Sequence, residues 1–167
     1  VMAEEAKRLN ILLIHYSTDY VFDGQGKRPW CENDNLAPIN YYGESKLLGE
    51  RAIQETGCHH LILRTSWVYG ARGNNFLLTM MRLAREKQTL SVVADQIGAS
   101  TWSRHIADAT AQIVAQYKGS YSQLEEYWSL RSGVYHLAAS GQGSWYDFAD
   151  ARSEEHTSEL QSQSNLV

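Results

Sequence analysis

The chain has 167 residues, a formal net charge of −4 and 43% hydrophobic residues, which are ordinary values for a soluble globular protein. No basic stripe and no apolar run of roughly 20 residues occurs, which argues against nucleic-acid and membrane partners. Cys31 and Cys58 have neither a metal nor a redox spacing, and we interpret them as reduced thiols of a cytoplasmic protein.

The predicted elements alternate between strands and helices along the chain. Residues 1–10 have the pattern of a helix end that leads directly into a buried strand, "NILLIHYST". A long polar connection follows, and Pro38 places the start of the next helix after it. That helix is predicted over 41–54, with Leu47, Leu48 and Ala52 as its buried stripe. Later segments predict, in order, a strand "HHLILRTSW", a helix "NFLLTMMRLAREK", a strand "LSVVAD", a helix "SRHIADATAQIVAQYK", a strand "GVYHLAAS" and a helix start "SWYDFADA".

This alternation predicts an α/β fold. Strands separated by helices of this length need crossover connections, and therefore a largely parallel sheet. Continuous apolar runs such as "ILLIH" are typical of strands that are covered on both faces. In such sheets, functional sites lie where the carboxyl ends of strands meet loops. The segments "STDYVF" and "TSWVYG" occupy those places, so we expect the site there.

The two ends of the sequence carry separate expectations. Because a domain rarely begins with the end of a helix, we expect the chain to be an internal piece of a longer protein. The segment from Arg152, "RSEEHTSELQSQSNLV", lacks apolar periodicity, and its first part resembles the translation of a short-read sequencing adapter. We therefore predict a domain over 1–151 and a non-native tail over 152–167. A natural polar tail is the alternative.

The segment "INYYGESKLLGE" contains two tyrosines close to a lysine, which raises the question of a proton-transfer pair. A helix turns about 100° per residue, so Tyr42 and Lys46 lie about 40° apart on one face. Tyr41 lies about 140° from Lys46 and does not share that face. An ammonium beside a phenol favours the phenolate and brings its pKa toward the range of a general acid or base. By itself the spacing is a weak signal, because chance pairs are common on helix surfaces.

Five segments together resemble the dTDP-4-dehydrorhamnose reductases, which are extended short-chain dehydrogenase/reductases. They occur in order over about residues 1–150 and are "YSTDYVFDG", "PINYYGESKLLGE", "RTSWVYG" with "GNNF", "LSVVADQIGAST" and "GVYHLAASGQGSWYDFA". Five linked motifs are far more specific than any one of them. The resemblance implies a partial Rossmann-type, doubly wound parallel sheet that is truncated at both ends.

The resemblance also implies roles for five residues. The catalytic tyrosine and lysine of the family fall on Tyr42 and Lys46, which also bind the nicotinamide cofactor. The active-site threonine falls on Thr18, which binds the sugar nucleotide together with Asp19, and a tryptophan that packs against the substrate falls on Trp67. In the implied reaction, NADPH or NADH delivers hydride to C4 of dTDP-4-dehydro-L-rhamnose. Tyr42 protonates the developing alkoxide and Thr18 orients the oxygen, giving dTDP-L-rhamnose, a surface-polysaccharide precursor.

Each of these assignments has a plain structural alternative. Tyr42 and Lys46 could form a solvated helix face, and Thr18 and Asp19 could be turn residues, as "STD" often is. Trp67 could be a core residue.

We expect no metal site, because the adjacent His59 and His60 lack a further ligand nearby. The histidines in apolar stretches are interpreted as packing residues: His15, His105 and His136.

The Gly-rich turn with which the family binds the cofactor pyrophosphate is absent from this sequence. We therefore expect this polypeptide alone to bind NADPH or NADH poorly and to turn over little, and the sequence does not distinguish between the two cofactors. The expected partner is a nucleotide-sugar substrate, and the resemblance allows a homodimer in the full-length enzyme.

Two other functions remain open at this stage. One is a nucleotide-sugar epimerase or dehydratase of the same superfamily, against which Trp67 and "STDYVF" favour the reductase. The other is a non-catalytic regulatory subunit with this fold. The presence of Thr18, Tyr42 and Lys46 together argues against it, because a binding module does not need all three.

Overall fold

The computed structural model describes residues 1–120, 123–153 and 159–163. The chain divides into two compact units. The first unit comprises Val1–Thr65 and Ala109–Leu137, and the second comprises Ser66–Asp108 and Ala138–Val167. Within the described ranges, no helix has both the length and the apolar character needed to cross a membrane.

The helices and strands follow the predicted alternation, with additional short elements. The helices are α1 Met2–Arg8, α2 Tyr41–Thr56, α3 Phe76–Glu86, α4 Ser103–Ala115, α5 Leu124–Ser129 and α6 Trp145–Ser153. The strands are β1 Leu13–Thr18, β2 His60–Thr65, β3 Val68–Tyr69, β4 Thr89–Val93, β5 Ile97–Gly98, β6 Thr101–Trp102, β7 Gly133–His136, β8 Gly143–Ser144 and β9 Glu159–Gln163.

The first unit contains a parallel sheet in the order β1-β2-β7. Leu61 in the central strand pairs with Ile14 of β1 on one side and with Gly133 of β7 on the other. All three strands run in the same direction, so the predicted α/β fold with a parallel sheet is confirmed. The carboxyl ends of β1 and β2 therefore lie side by side, with Thr18 opposite Thr65.

Helices cover both faces of this sheet. On one face, Ile62 of β2 packs against α1 and α2 through Ala3, Ala6 and Ile53. The residues on either side of Ile62 point to the other face, as the two-residue period of a strand requires. There they form a cluster with residues from α4 and α5: Leu61, Leu63, Ile113, Leu124 and Trp128. The predicted burial on both faces is confirmed for β2, whose residues 61–65 are all buried. It is only partly correct for β1, in which Tyr16 is 42% exposed.

The predicted buried stripe of α2 was only partly correct. Leu47 is buried, but Leu48 is 57% exposed and Ala52 also faces solvent. The observed buried positions are Gly43, Leu47, Glu50 and Ile53. Their spacing of three and four residues is that of one helix face. Hydrophobicity alone missed this face because one of its members is a glutamate.

The second unit has its own small core. Leu90 and Val92 of β4 pack with Ala149 of α6, and residues of α3 lie against them. The other strands of this unit form short pairs that the sequence analysis did not predict: β3 with β6 in parallel, and β5 with β8 in antiparallel orientation.

The segment predicted as a tail, 152–167, is described in part. Helix α6 continues to Ser153, one residue beyond Arg152, and the backbone of Glu159–Gln163 pairs in parallel with β4 as β9. Residues 154–158 and 164–167 lie outside the described residues. The assignment of this segment as a non-native tail stays a prediction.

Candidate active site

Strand β1 ends at a buried threonine, Thr18, immediately before the loop. The Thr18 hydroxyl caps a single turn of 3-10 helix, Asp19–Val21, by accepting a hydrogen bond from the Tyr20 backbone N–H at 3.2 Å. The same hydroxyl donates to Asp19 Oδ1 at 3.1 Å. The turn-capping role that was the plain alternative for Thr18 is therefore present in the structure, and it holds the Asp19 carboxylate beside the hydroxyl.

The first turn of α2 packs closely against this loop. Asn40 caps the helix, and its side-chain oxygen accepts a hydrogen bond from the Gly43 N–H at 2.8 Å. A Cβ added at Gly43 would collide with the Tyr20 carbonyl oxygen and would lie 3.0 Å from the Cβ of Pro38. Glycine is therefore required for α2 to approach the loop after β1 this closely.

This contact predicts opposite effects for two glycines in α2. Gly43→Ala should lower the free energy of unfolding of the full chain by about 1–3 kcal/mol, because the Tyr20 carbonyl is backbone and cannot rotate away. Gly49→Ala is the matched control, since its Cβ would meet only His15 Nε2 at 3.8 Å. It should raise the free energy of unfolding by about 0.5–1 kcal/mol through helix propensity. Urea denaturation followed by circular dichroism measures both, and equal effects would contradict the close contact at Gly43.

Tyr42 lies on the same first turn and is 55% exposed. Its ring packs edge-on against the ring of Tyr20, with centroids 5.9 Å apart. Burial raises the pKa of the Tyr20 phenol, and the charges on Asp19 and Tyr42 raise it further, so Tyr20 stays a neutral neighbour. Because the Tyr20 backbone is bonded to Thr18, the structure brings Tyr42 beside the turn that carries Thr18 and Asp19.

Lys46 follows Tyr42 after one helical turn, and its ammonium donates to the Tyr16 carbonyl oxygen of β1 at 2.6 Å. Neighbouring His15 has a buried Nε2 that finds no hydrogen-bond partner among the described residues. Burial lowers the pKa of His15, and the charge of Lys46 lowers it further against the opposing influence of Glu50. His15 is therefore neutral at physiological pH and adds no second charge beside Lys46.

A buried ion pair one turn further along α2 was missed by the sequence analysis. Glu50 accepts two hydrogen bonds from Arg64 of β2, from Nε at 3.0 Å and from Nη2 at 2.7 Å. The two side chains are 1% and 3% exposed. The available signal was an arginine inside the apolar strand "LILRT", since buried charges need a partner of opposite sign.

Arg64 also contacts the connection between β1 and α2. Its Nη1 donates to the Glu32 carbonyl oxygen at 3.2 Å, and its guanidinium lies 5.2 Å from the centre of the Phe22 ring. The Glu32 carboxylate in turn accepts a hydrogen bond from the backbone N–H of His136 in β7 at 2.9 Å. The connection is therefore anchored to both β2 and β7.

The tip of the same connection is closed by a second, exposed ion pair. Arg28 donates to both carboxylate oxygens of Asp34, at 2.8 and 2.7 Å, and the Cys31 N–H donates to the same carboxylate at 2.7 Å. The hydrogen bonds from Arg28 and then from Cys31 lower the pKa of Asp34 to about 2. Asp34 therefore remains ionised at physiological pH.

Trp67 belongs to the second unit. Its backbone has a φ of 44°, in the left-handed region that favours glycine. The indole stacks on Trp145 with centroids 3.7 Å apart and an interplanar angle of 11°. The ring also lies against Gly98, where an added Cβ would be only 2.5 Å from it. The rotamer and strained backbone of Trp67 are thus held by contacts within this unit.

The described ranges contain no group of three or more His, Cys, Asp or Glu side chains arranged to hold a metal ion. His60 Nδ1 lies 2.9 Å from the Cys58 carbonyl oxygen. The His136 ring packs edge-on against Phe22, with centroids 5.7 Å apart. These histidines have structural contacts.

The family model of the RmlD substrate binding domain matches residues 1–165. The dTDP-4-dehydrorhamnose reductase of Burkholderia thailandensis is 51% identical to the chain over 151 residues, which are 90% of this chain and 49% of that protein. The Escherichia coli K12 reductase of the same name is 49% identical over 150 residues, 89% of this chain and 47% of that protein. The chain thus spans about half the length of the curated relatives it matches.

Solved structures agree with these relationships. A dTDP-4-dehydrorhamnose reductase from Bacillus anthracis, in complex with NADP, has a TM-score of 0.82 and 36% identity over 98% of this chain and 55% of that chain. The orthologue from Clostridium acetobutylicum has a TM-score of 0.85 and 32% identity over 98% of this chain and 54% of that chain. The fold, the linked motifs and the family match agree, and the chain belongs to the RmlD substrate binding domain family.

Proposed function

We propose that this chain carries the proton-transfer and sugar-binding side of an NAD(P)H-dependent reductase. The proposed reaction reduces the 4-keto group of dTDP-4-dehydro-L-rhamnose to give dTDP-L-rhamnose. The observation that carries this proposal is the convergence of Thr18, Tyr42 and Lys46 where the end of β1 meets the start of α2. The names of the relatives that are about half identical to the chain support the choice of substrate.

The residues present fit the nicotinamide ribose end of NADPH or NADH. Lys46 uses one of its three N–H donors on the Tyr16 carbonyl, and an ammonium can offer the others to ribose hydroxyls. The largely exposed phenol of Tyr42 lies one turn away and can both donate and accept. When bound, the cofactor supplies the hydride that adds to C4 of the sugar.

Tyr42 donates its phenolic proton to the C4 oxygen, so that the ketone becomes a secondary alcohol. The ammonium of Lys46 stabilises the phenolate that remains, because an opposite charge nearby favours the ionised form. The hydrogen bond from Lys46 to Tyr16 holds the ammonium against β1 and limits its freedom to move away. Proton transfer by a positioned side chain of this kind typically contributes about 10²–10⁴-fold to the rate.

Thr18 orients the substrate oxygen in this proposal, and Asp19 contacts the sugar nucleotide. The Thr18 hydroxyl donates to Asp19 in the structure, so it would exchange this acceptor for the substrate oxygen. The hydroxyl oxygen continues to accept the hydrogen bond from the Tyr20 N–H, which keeps the hydroxyl in place during the exchange. We further propose that Trp67 packs against the substrate. Its indole is held by stacking on Trp145, and its backbone has the kind of strained conformation that is found at functional sites.

The test uses a chimeric reductase. The residues of this chain that align with the Burkholderia thailandensis enzyme would replace their 151 counterparts in it. We expect the purified chimera to oxidise NADPH in the presence of dTDP-4-dehydro-L-rhamnose and to form dTDP-L-rhamnose, identified by mass spectrometry and NMR. A folded chimera that only epimerises or dehydrates the sugar would contradict the proposal, as would a folded chimera without turnover.

A further inference from the structure

We propose that the buried Glu50–Arg64 pair has a positioning role. It fixes the rotation and the axial position of α2, so that Tyr42 and Lys46 lie where proton transfer requires them. This inference rests on the proposed function and deepens it. Glu50 and Arg64 do not touch the reacting atoms in this proposal. They act through the helix that carries Tyr42 and Lys46.

The geometry of the pair restricts α2 in a specific way. Two parallel hydrogen bonds, at 3.0 and 2.7 Å, join the guanidinium fork to the carboxylate. Such a fork accepts a carboxylate in one plane, so it specifies orientation as well as distance. Arg64 lies in the central strand β2, between β1 and β7, and is therefore a fixed reference for the helix.

Helix α2 is seated at two points on the same face. One is Gly43, whose missing Cβ permits contact with the Tyr20 carbonyl oxygen, and the other is Glu50. The two residues are seven positions apart, which is about 10.5 Å along the helix axis and about 20° around it. Lys46 lies between them and bonds to Tyr16 of β1. With both points fixed, α2 can neither rotate nor slide, and the position of Tyr42 follows.

Arg64 also holds the connection between β1 and α2, which follows Thr18. Through the Glu32 carbonyl oxygen and the Phe22 ring, it holds the connection that begins at Asp19. One guanidinium thus contacts both the connection that follows Thr18 and the helix that carries Tyr42.

Stability alone does not account for an ion pair at this place. Replacing a buried ion pair with apolar residues of similar volume is often neutral or stabilising. An apolar pair would fill the space between α2 and β2 but would permit several orientations. What the carboxylate and the guanidinium add is a defined orientation, and this distinguishes a positioning role from a packing role.

The test replaces the pair in the chimeric reductase. The double variant Glu50→Leu/Arg64→Met should retain the circular dichroism spectrum of the chimera and melt at a temperature close to that of the chimera. Its kcat should fall by about 10–100-fold while KM for the sugar changes by less than about threefold. The pH profile of kcat should shift as well, because this profile reports the groups that transfer protons, and the proposal places those groups on α2. The matched control is Arg104→Met/Asp108→Leu, which removes an ion pair whose side chains are 70% and 54% exposed, and it should change neither parameter.

Arg64→Lys separates orientation from charge. It retains the positive charge but replaces the planar fork with a point charge, so a positioning role predicts a lower kcat and a shifted pH profile. If the double variant unfolds, Arg64→Lys carries the test. Values of kcat within threefold of the parent in the folded variants, together with an unchanged pH profile, would overturn the inference.

Tyr42→Phe in the same assay separates this inference from the proposed function. If Tyr42→Phe loses activity and the pair variants do not, the positioning role fails and the proposed function stands. If Tyr42→Phe is also without effect, the role of Tyr42 as the proton donor fails, and the positioning role fails with it, whereas the formation of dTDP-L-rhamnose by the chimera still tests the reductase function.

Discussion

Replacing Tyr42 with phenylalanine should lower kcat of the chimeric reductase by at least about 100-fold, the lower range for a positioned general acid. The substitution removes one oxygen atom and leaves the ring that packs edge-on against Tyr20. Helix packing is therefore preserved, and the loss reports on proton transfer. The rate of NADPH oxidation under saturating sugar measures the effect, and KM for the sugar should change little.

Tyr41→Phe is the matched control for this prediction. Tyr41 is adjacent in sequence and 84% exposed, and the helical geometry places it away from the face shared by Tyr42 and Lys46. The same chemical change there should leave kcat within about twofold, as expected for an exposed position without a catalytic contact. A similar loss in both variants, or no loss at Tyr42, would mean that the phenol of Tyr42 does not supply the proton.

Breaking the buried ion pair from one side should have the largest effect on stability. Arg64→Met should lower the free energy of unfolding of the full chain by about 3–5 kcal/mol, because it leaves the Glu50 carboxylate buried without its partner. Arg64 also holds the Glu32 carbonyl oxygen, and this hydrogen bond is lost too. Urea denaturation followed by circular dichroism gives the measurement.

The double variant Glu50→Leu/Arg64→Met controls for the change in volume at this position. Without any buried charge, it should recover most of the stability that Arg64→Met loses. If single and double variants were equally unstable, packing or the contact with Glu32 would be the dominant contribution. The unpaired charge of Glu50 would then make only a minor contribution to the loss of stability in Arg64→Met.

Much of the fold follows from local patterns in the sequence. The apolar run before Thr18 predicts a strand covered on both faces, and helices do pack on each side of the sheet. The burial is nearly complete in β2, but in β1 it is partial and Tyr16 is 42% exposed. Pro38 correctly placed the start of α2 after it, since proline disfavours the helix interior. The one-turn spacing of Tyr42 and Lys46 could likewise be predicted, because it depends only on helical periodicity.

Other features depend on contacts between distant segments, which local patterns do not contain. Leu48 is exposed and Glu50 is buried, the reverse of what hydropathy predicts, because Arg64 of β2 supplies the partner for the carboxylate. The seat of α2 at Gly43 depends on the path of the Tyr20 backbone. The two-residue strands could not be predicted either, since their pairing is with residues far along the chain.

The first unit is discontinuous in sequence, and this has a consequence for biosynthesis. Its segments Val1–Thr65 and Ala109–Leu137 are separated by Ser66–Asp108 of the second unit. A ribosome therefore releases β1, α2 and β2 well before β7 exists, so one edge of β2 stays unpaired while the intervening stretch is translated. Such an edge is a template for wrong strand pairing, and pairing across a long separation is slow. Until Gly133–His136 emerges, the nascent polypeptide therefore carries an unpaired edge of β2 that favours aggregation.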